Sequence, residues 1–215
     1  MSKIKPTKFN NSRYNPDFLL NDFFYCADGD GVYPKHHCKL TFNASEPFIK
    51  KFGNAIDVGC RDGEYTRYLM QKFQYTFCFD PRVMQRFADN IDLSKVTHYA
   101  CALGDINAEI VMSGGQHNIS PLNWKNIYKT KSFRLDDFEI PNIDYIKIDV
   151  EGYEYKVLVG AEQTILENYP LIVLEKNHIN LPGQDEFAAI NWLSDRGYQS
   201  VAKCPRGWDH KMIKT

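Results

Sequence analysis

Carboxylates and glycines recur where this chain could hold a ligand. Ile56-Asp57-Val58-Gly59-Cys60-Arg61-Asp62-Gly63-Glu64 reads as D-x-G-x-x-x-G at the turn from a short apolar strand into a helix. Two glycines let such a turn bend and let a ligand approach its backbone. The pattern is not G-x-G-x-x-G, so the dinucleotide fingerprint fails at its second glycine. Asp80 follows 21 residues after Gly59. A carboxylate at that spacing is placed to grip a ribose diol. Asp57, Gly59, Cys60, Gly63 and Asp80 together describe a cradle for an adenosine-type ligand.

Charge narrows the choice. Asp57, Asp62 and Glu64 crowd one turn. A pyrophosphate there would meet repulsion of ~4 kcal/mol per close pair at an effective dielectric of about 20. Phosphate loops offer bare amides and lysine instead. S-adenosylmethionine (SAM) carries a sulfonium and an ammonium and no phosphate, so an acidic loop suits it. Asp62 and Glu64 also fit plain helix N-terminus chemistry.

A second group lies in Tyr145-Ile-Lys-Ile-Asp-Val-Glu151-Gly152. Period two puts Ile146, Ile148 and Val150 on one face and Lys147, Asp149 and Glu151 on the other. A central parallel strand is normally apolar on both faces, and charges there are costly unless they pair or line a cleft. Either a buried Lys–Asp pair has structural duty, or an acid faces a cofactor and a base faces a substrate. Glu175 ends the next apolar strand, beside Asp149 and Glu151, and is followed by Lys176, Asn177 and His178.

The elements that must position these residues are legible from residue 54 onward. Strands are expected at 55–58, 75–79, 96–102, 143–150 and 171–175, and an extended piece at 109–112. Helices are expected at 64–73, 83–90, 154–169 and 187–196. Residues 198–203 and 209–213 could pair as a terminal hairpin. Residues 113–130 read as a loop, rich in Gly and Asn. In the first 46 residues no period is clear; Phe18-Leu-Leu and Asp22-Phe-Phe-Tyr suggest a short helix packing on the main body. Alternating strand and helix predict an α/β fold, a mostly parallel sheet with helices on both faces, and ligands beyond the carboxyl ends of its strands.

The 215 residues suit one domain, with residues 1–45 as an N-terminal extension and 46–215 as the main body. The formal net charge of −1 argues against a nucleic-acid partner. No apolar run approaches the ~20 residues of a membrane span, and the basic N-terminus has no following apolar stretch, so it is no secretory signal. Six cysteines without a CxxC pair read as reduced, mostly buried thiols of a cytoplasmic protein. Cys26 with His36-His37-Cys38 has zinc donors but matches no standard finger, so no metal is expected. Asp28-Gly-Asp30-Gly31 lacks the further ligands of a calcium loop and reads as a turn.

The chain resembles the FkbM family of SAM-dependent methyltransferases over roughly residues 46–203. The resemblance is carried by Ile56-Asp-Val-Gly-Cys-Arg-Asp-Gly63, Phe79-Asp-Pro81 and Leu135-Asp-Asp-Phe138. Above all it is carried by Ile143-Asp-Tyr-Ile-Lys-Ile-Asp-Val-Glu-Gly-Tyr-Glu154; Val157-Leu-Val-Gly-Ala161 and Pro170-Leu-Ile-Val-Leu-Glu175 complete it. It implies a class I methyltransferase fold, Rossmann-like, with a seven-stranded sheet whose last strand is antiparallel. It implies SAM as cofactor and a hydroxyl of a sugar, polyketide or other small-molecule or glycan acceptor as target. By position it implies Asp57, Gly59 and Gly63 as the cofactor loop, Asp80 with Pro81 at the ribose, residues near Ala102 at the adenine and Asp149 at the methionine end. The family often has Glu-Pro where this chain has Asp80-Pro81, and Ala-Asn where it has Cys60-Arg61-Asp62. Acceptor specificity is expected in residues 1–45 and 113–130, which lack a match.

An alcohol is a poor nucleophile, so partial proton removal helps it attack. Glu151 or Asp149 is the expected base, with Lys147 orienting the acid and lowering its pKa; Glu175 and His178 are second candidates. Two other readings stay open. Lys147, Asp149, Lys176 and Glu175 could imitate the Lys–Asp–Lys–Glu set of RNA or cap 2′-O-methyltransferases. A SAM-binding protein without catalysis is the other.

Overall fold

The computed structural model describes residues 4–26, 29–32, 37–113, 127–176, 185–203 and 209–215. His178, the suggested calcium turn at Asp28, and His36 of the suggested zinc set lie outside them.

The chain opens with a segment laid against the body, then α1 (Asp17–Leu20) and the antiparallel pair β1 (Phe23–Cys26) and β2 (Gly29–Val32). The Asp22-Phe-Phe-Tyr stretch is thus strand, not helix. α2 (His37–Ser45) leads through a 3-10 turn at Glu46–Phe48 into β3 (Asn54–Val58), α3 (Thr66–Lys72), β4 (Tyr75–Phe79), α4 (Gln85–Asn90) and β5 (Val96–Tyr99). A separate three-stranded sheet follows, of β6 (Ala102–Leu103), β7 (Ala108–Ser113) and β8 (Ile127–Phe133), in the order β6-β8-β7. Strand β8 begins inside the stretch read as a loop. Its Ile127-Tyr-Lys-Thr-Lys alternation is half polar because β7 and β8 form a two-sided ribbon rather than a buried sheet.

The second half is β9 (Ile143–Ile148), α5 (Glu154–Val159), α6 (Glu162–Asn168), β10 (Leu171–Glu175), α7 (Ala188–Asp195), β11 (Tyr198–Lys203) and β12 (Asp209–Lys214). The helix expected over 154–169 breaks in two. A Cβ on Gly160 would stand 1.9 Å from the Gly104 carbonyl oxygen, and the Gly160 carbonyl accepts from the Asp136 N–H at 3.1 Å. The helix stops where it meets this crossing backbone.

The main sheet has seven strands in the order β11-β12-β10-β9-β3-β4-β5. β12 runs antiparallel to both its neighbours, and the other strands are parallel. Ile56, Ile146, Ile148, Ile172 and Leu174 face α5, α6 and α7 through Leu158, Ile165 and Leu193. Ala55, Tyr145 and Val173 face α2 and α3 through Phe42, Leu69 and Phe73. Both faces are covered, which is why these strands read as apolar runs. The strand order reverses between β3 and β9, and a crevice at such a switch point is where open α/β sheets bind ligands.

The first residues tie to the β5 edge. The Thr7 N–H donates to the His98 carbonyl at 2.7 Å, and Arg13 forks onto Asp89. Asn90 accepts from the Tyr25 N–H and donates to the carbonyls of Tyr25 and Asp62, joining β1 to the β3–α3 loop. The five described cysteines are free thiols. Among the described residues no helix is long and apolar enough to cross a membrane.

Candidate active site

The parallel register sets Asp57 of β3 directly beside Lys147 of β9. That pairing explains a charged residue in the middle of the sheet. Lys147 Nζ lies 3.2 Å from Asp57 Oδ1 and 3.6 Å from Asp149 Oδ2, and donates to the Gly59 carbonyl at 3.0 Å. Thr66 Oγ1 donates to Asp57 Oδ2 at 2.6 Å. Burial pushes the Lys147 ammonium down, but Asp57 and then Asp149 outweigh it and hold its pKa above the usual lysine value. Asp57 itself is fully buried and does not line the cleft. Asp57 is linked to the cleft through Lys147, which also donates to the Gly59 carbonyl.

The β3–α3 loop turns through positive φ at Gly59, Arg61 and Gly63. Its glycines are required by the protein's own packing. A Cβ on Gly59 would stand 1.9 Å from the Asp149 carbonyl oxygen, and one on Gly63 would stand 2.8 Å from Ile91. Beyond the loop opens a cleft of about 590 Å3, part of it open to solvent. Gly59, Cys60, Lys147 and Asp149 line it, as do Arg61, Asp62, Glu64 and Tyr65. Its opposite wall is Phe24, Cys26, His37 and Cys38, from the N-terminal part of the chain.

β9 ends at Ile148, and Glu151 takes φ +57, so the period-two face stops before it. Even so, carboxylate oxygens of Asp149, Glu151 and Glu175 lie within 4.8 Å of one another. Burial pushes the Asp149 carboxyl up; Lys147 and a hydrogen bond with Glu175 outweigh burial and hold it below the usual aspartate value.

The turn bearing Asp149 and Glu151 is held by a residue the sequence reading quoted but gave no role. Glu154 Oε1 accepts from the Val150 N–H at 3.2 Å and the Gly152 N–H at 3.1 Å. Burial pushes its carboxyl up to about 7, against the pull of those amides. Its signal was an acid in the first turn of the following helix.

Asp80 sits at the end of β4 and touches the first loop, accepting from the Arg61 N–H at 3.0 Å. Its carboxylate is also capped by Arg82, whose N–H and Nε donate to Oδ1 at 2.9 and 3.2 Å. Asp80 is 2% exposed under this cap and does not line the cleft. Pro81 and Ala102 do not line it either, and Ala102 pairs with β8 in the small sheet. Of the set imitating an RNA 2′-O-methyltransferase, Lys147, Asp149 and Glu175 lie together, while Lys176 pairs with Glu186 at 3.3 Å and lies 4.0 Å over the Phe187 ring.

Comparison with known proteins bears on this geometry. Residues 40–200 match the family model of the methyltransferase FkbM domain. The chain is 27% identical over 183 residues to the 2-O-methyltransferase NoeI of Sinorhizobium fredii, covering 71% of this chain and 74% of that protein. A crystal structure of methyltransferase FkbM from Methylobacillus flagellatus superposes with a TM-score of 0.56 at 18% identity, over 82% of this chain. The match spans 47% of that longer chain. A precorrin-8w decarboxylase from Methanobacterium thermoautotrophicum superposes with a TM-score of 0.51 at 15% identity, over 90% of this chain and 97% of that one. The two structures share the fold, a class I methyltransferase-like sheet with flanking helices. With its family model matched across most of its length, the chain belongs to the FkbM family of SAM-dependent methyltransferases.

Proposed function

We propose that this protein transfers the methyl group of SAM to a hydroxyl oxygen of a sugar, polyketide or other small-molecule or glycan acceptor. The observation that carries this reading is the cleft at the β3–β9 switch point, whose acids Asp62, Glu64 and Asp149 suit a sulfonium and an ammonium. Lys147 lines the same cleft but is already neutralised by Asp57 and Asp149. The 2-O-methyltransferase relative supports oxygen as the target.

When bound, SAM supplies an already activated methyl group. The chain's own residues bind, orient and move a proton. Gly59, Cys60 and Gly63 shape the cofactor loop, and Asp149, kept ionised by Lys147, is the anion for the cationic end of the donor. A group with a depressed pKa is a weak base, so the proton-accepting role passes to Glu151 or Glu175 at the rim. Asp80 and Pro81 serve the ribose once Arg82 yields, and Ala102 lies toward the adenine end. Positioning contributes much of the acceleration. The N-terminal wall and residues 113–130 select the acceptor.

The test is incubation with labelled SAM and a small-molecule extract, with mass spectrometry for a methylated product. Asp149→Asn is expected to weaken SAM binding, while Glu151→Gln or Glu175→Gln lowers turnover with SAM affinity kept. Turnover unchanged in all three variants would overturn the assignment.

A further inference from the structure

The cleft's N-terminal wall brings three different metal-donor types together. An imidazole nitrogen of His37, the thiol of Cys38 and a carboxylate oxygen of Glu64 lie within 4.8 Å of one another. They come from separate elements, the first turn of α2 and the loop before α3, and all three line the cleft. We infer that His37, Cys38 and Glu64 form a binding site for a divalent transition metal of the zinc class.

The donors fix the class of ion. Magnesium and calcium take oxygen ligands, whereas a nitrogen–sulfur–oxygen set suits zinc and its neighbours. Bonds of about 2.3 Å to sulfur and about 2.0–2.1 Å to nitrogen and oxygen put tetrahedral ligand atoms roughly 3.5 Å apart. Small rotations of half-buried side chains close the remaining gap. Burial and then the Glu64 carboxylate push the Cys38 thiol up, so the two groups already act on each other across the cluster. The charges acting on the cluster favour a dication. Asp149 acts on both His37 and Cys38, and Lys147, the cation facing Cys38, is itself paired with Asp57 and Asp149. Finger-type spacing hid this set, because Glu64 is brought in by the fold rather than by sequence proximity.

On binding, the Cys38 S–H bond breaks and a sulfur–metal bond forms, with the proton released to solvent. The Glu64 carboxylate gains a metal–oxygen bond, and no electrons are transferred. Three protein ligands leave a fourth position open to the cleft, as in catalytic zinc sites. There an acceptor hydroxyl could bind and lose its proton more readily. That consequence rests on the methyl-transfer reading; the binding itself does not.

The experiment uses the full chain, stripped of metal by chelation, titrated with Zn2+ by calorimetry and with Co2+ by absorption. One equivalent should bind, and Co2+ should show a thiolate-to-metal charge-transfer band with tetrahedral visible bands. Cys38→Ser should abolish that band, and His37→Gln and Glu64→Gln should weaken Zn2+ binding more than about tenfold. Circular dichroism checks that each variant folds; the band in the unmodified protein and the His37→Gln titration decide if Cys38→Ser does not. Absence of the band overturns the site. So does zinc binding that survives Cys38→Ser but is lost in Glu175→Gln, which would put the metal on the Asp149–Glu151–Glu175 carboxylates. SAM titrated into the same samples reports separately: SAM binding without zinc overturns only this site, and zinc binding without SAM only the donor reading.

Discussion

Lys147 on β9 donates to the carbonyl oxygen of Gly59, 3.0 Å away at the tip of the neighbouring strand β3. One buried ammonium therefore stitches the two central strands together where the cleft opens, and it does so as a cation shared by Asp57 and Asp149. The shape of the loop and the charge of the cleft depend on the same side chain.

Removing that cation should be costly. Lys147→Met leaves Asp57 buried without its counter-ion, and breaking a buried pair typically costs ~3–5 kcal/mol. The double variant Lys147→Met with Asp57→Asn should recover part of the loss, since it removes the stranded charge. Denaturant unfolding of the two variants measures this. A single variant as stable as the starting protein would mean that the pair carries no such burden.

How much of this was legible follows from where each interaction lives. The strands Asn54–Val58, Ile143–Ile148 and Leu171–Glu175 carry closely spaced apolar residues, so their existence and parallel packing could be read directly, and the period-two face of Lys147 could be too. The partner of Lys147 could not, because Asp57 meets it only through the register of two strands far apart in sequence. Strand β8 was hidden in a polar stretch, and the break at Gly160 depends on a crossing backbone at Gly104. Of the candidate site, Gly59, Cys60, Lys147 and Asp149 do line the cleft. The cap that Arg82 places on Asp80 had only proximity in sequence to announce it, and the N-terminal wall came from the part of the chain with no visible period.

The Arg82 cap makes its own prediction. A ribose diol can reach Asp80 only if the guanidinium gives way. Arg82 is 42% exposed, so its pair with Asp80 is worth ~0–1 kcal/mol. Arg82→Ala should therefore tighten SAM binding by up to about fivefold, read by calorimetry. Weaker binding in the variant would show that Arg82 assists the ligand rather than competing with it.

Glu154 should make stability fall as pH rises. Its folded pKa of about 7 lies above the ordinary 4.5. The stability it contributes is fully present below about pH 4.5 and is lost as pH rises through 7. Glu154→Gln keeps an oxygen acceptor for the Val150 and Gly152 amides and does not titrate. Melting temperatures of the variant and the unmodified protein should diverge between pH 5 and pH 8, the variant gaining toward the alkaline end. Parallel curves would place the Glu154 pKa near its ordinary value.

His98 should work in the opposite direction, at the edge where the N-terminal segment is tied down. Its Nδ1 lies 2.8 Å from Thr7 Oγ1, and Phe9 and Phe87 pack against the ring. Burial lowers its pKa to about 4 from an ordinary 6.5, so it folds as neutral imidazole. The stability it contributes is present above pH 6.5 and lost as pH falls through 4, where a proton must enter an aromatic pocket. Since Thr7 bonds both the ring and the His98 carbonyl, acid should loosen residues 4–16 before the sheet unfolds. Limited proteolysis from pH 7 down to 4 should show cleavage in that segment rising below about pH 5. In His98→Phe, which fills the pocket without titrating, that rise should be absent. Equal acid sensitivity in both proteins would mean that another group holds the segment in place.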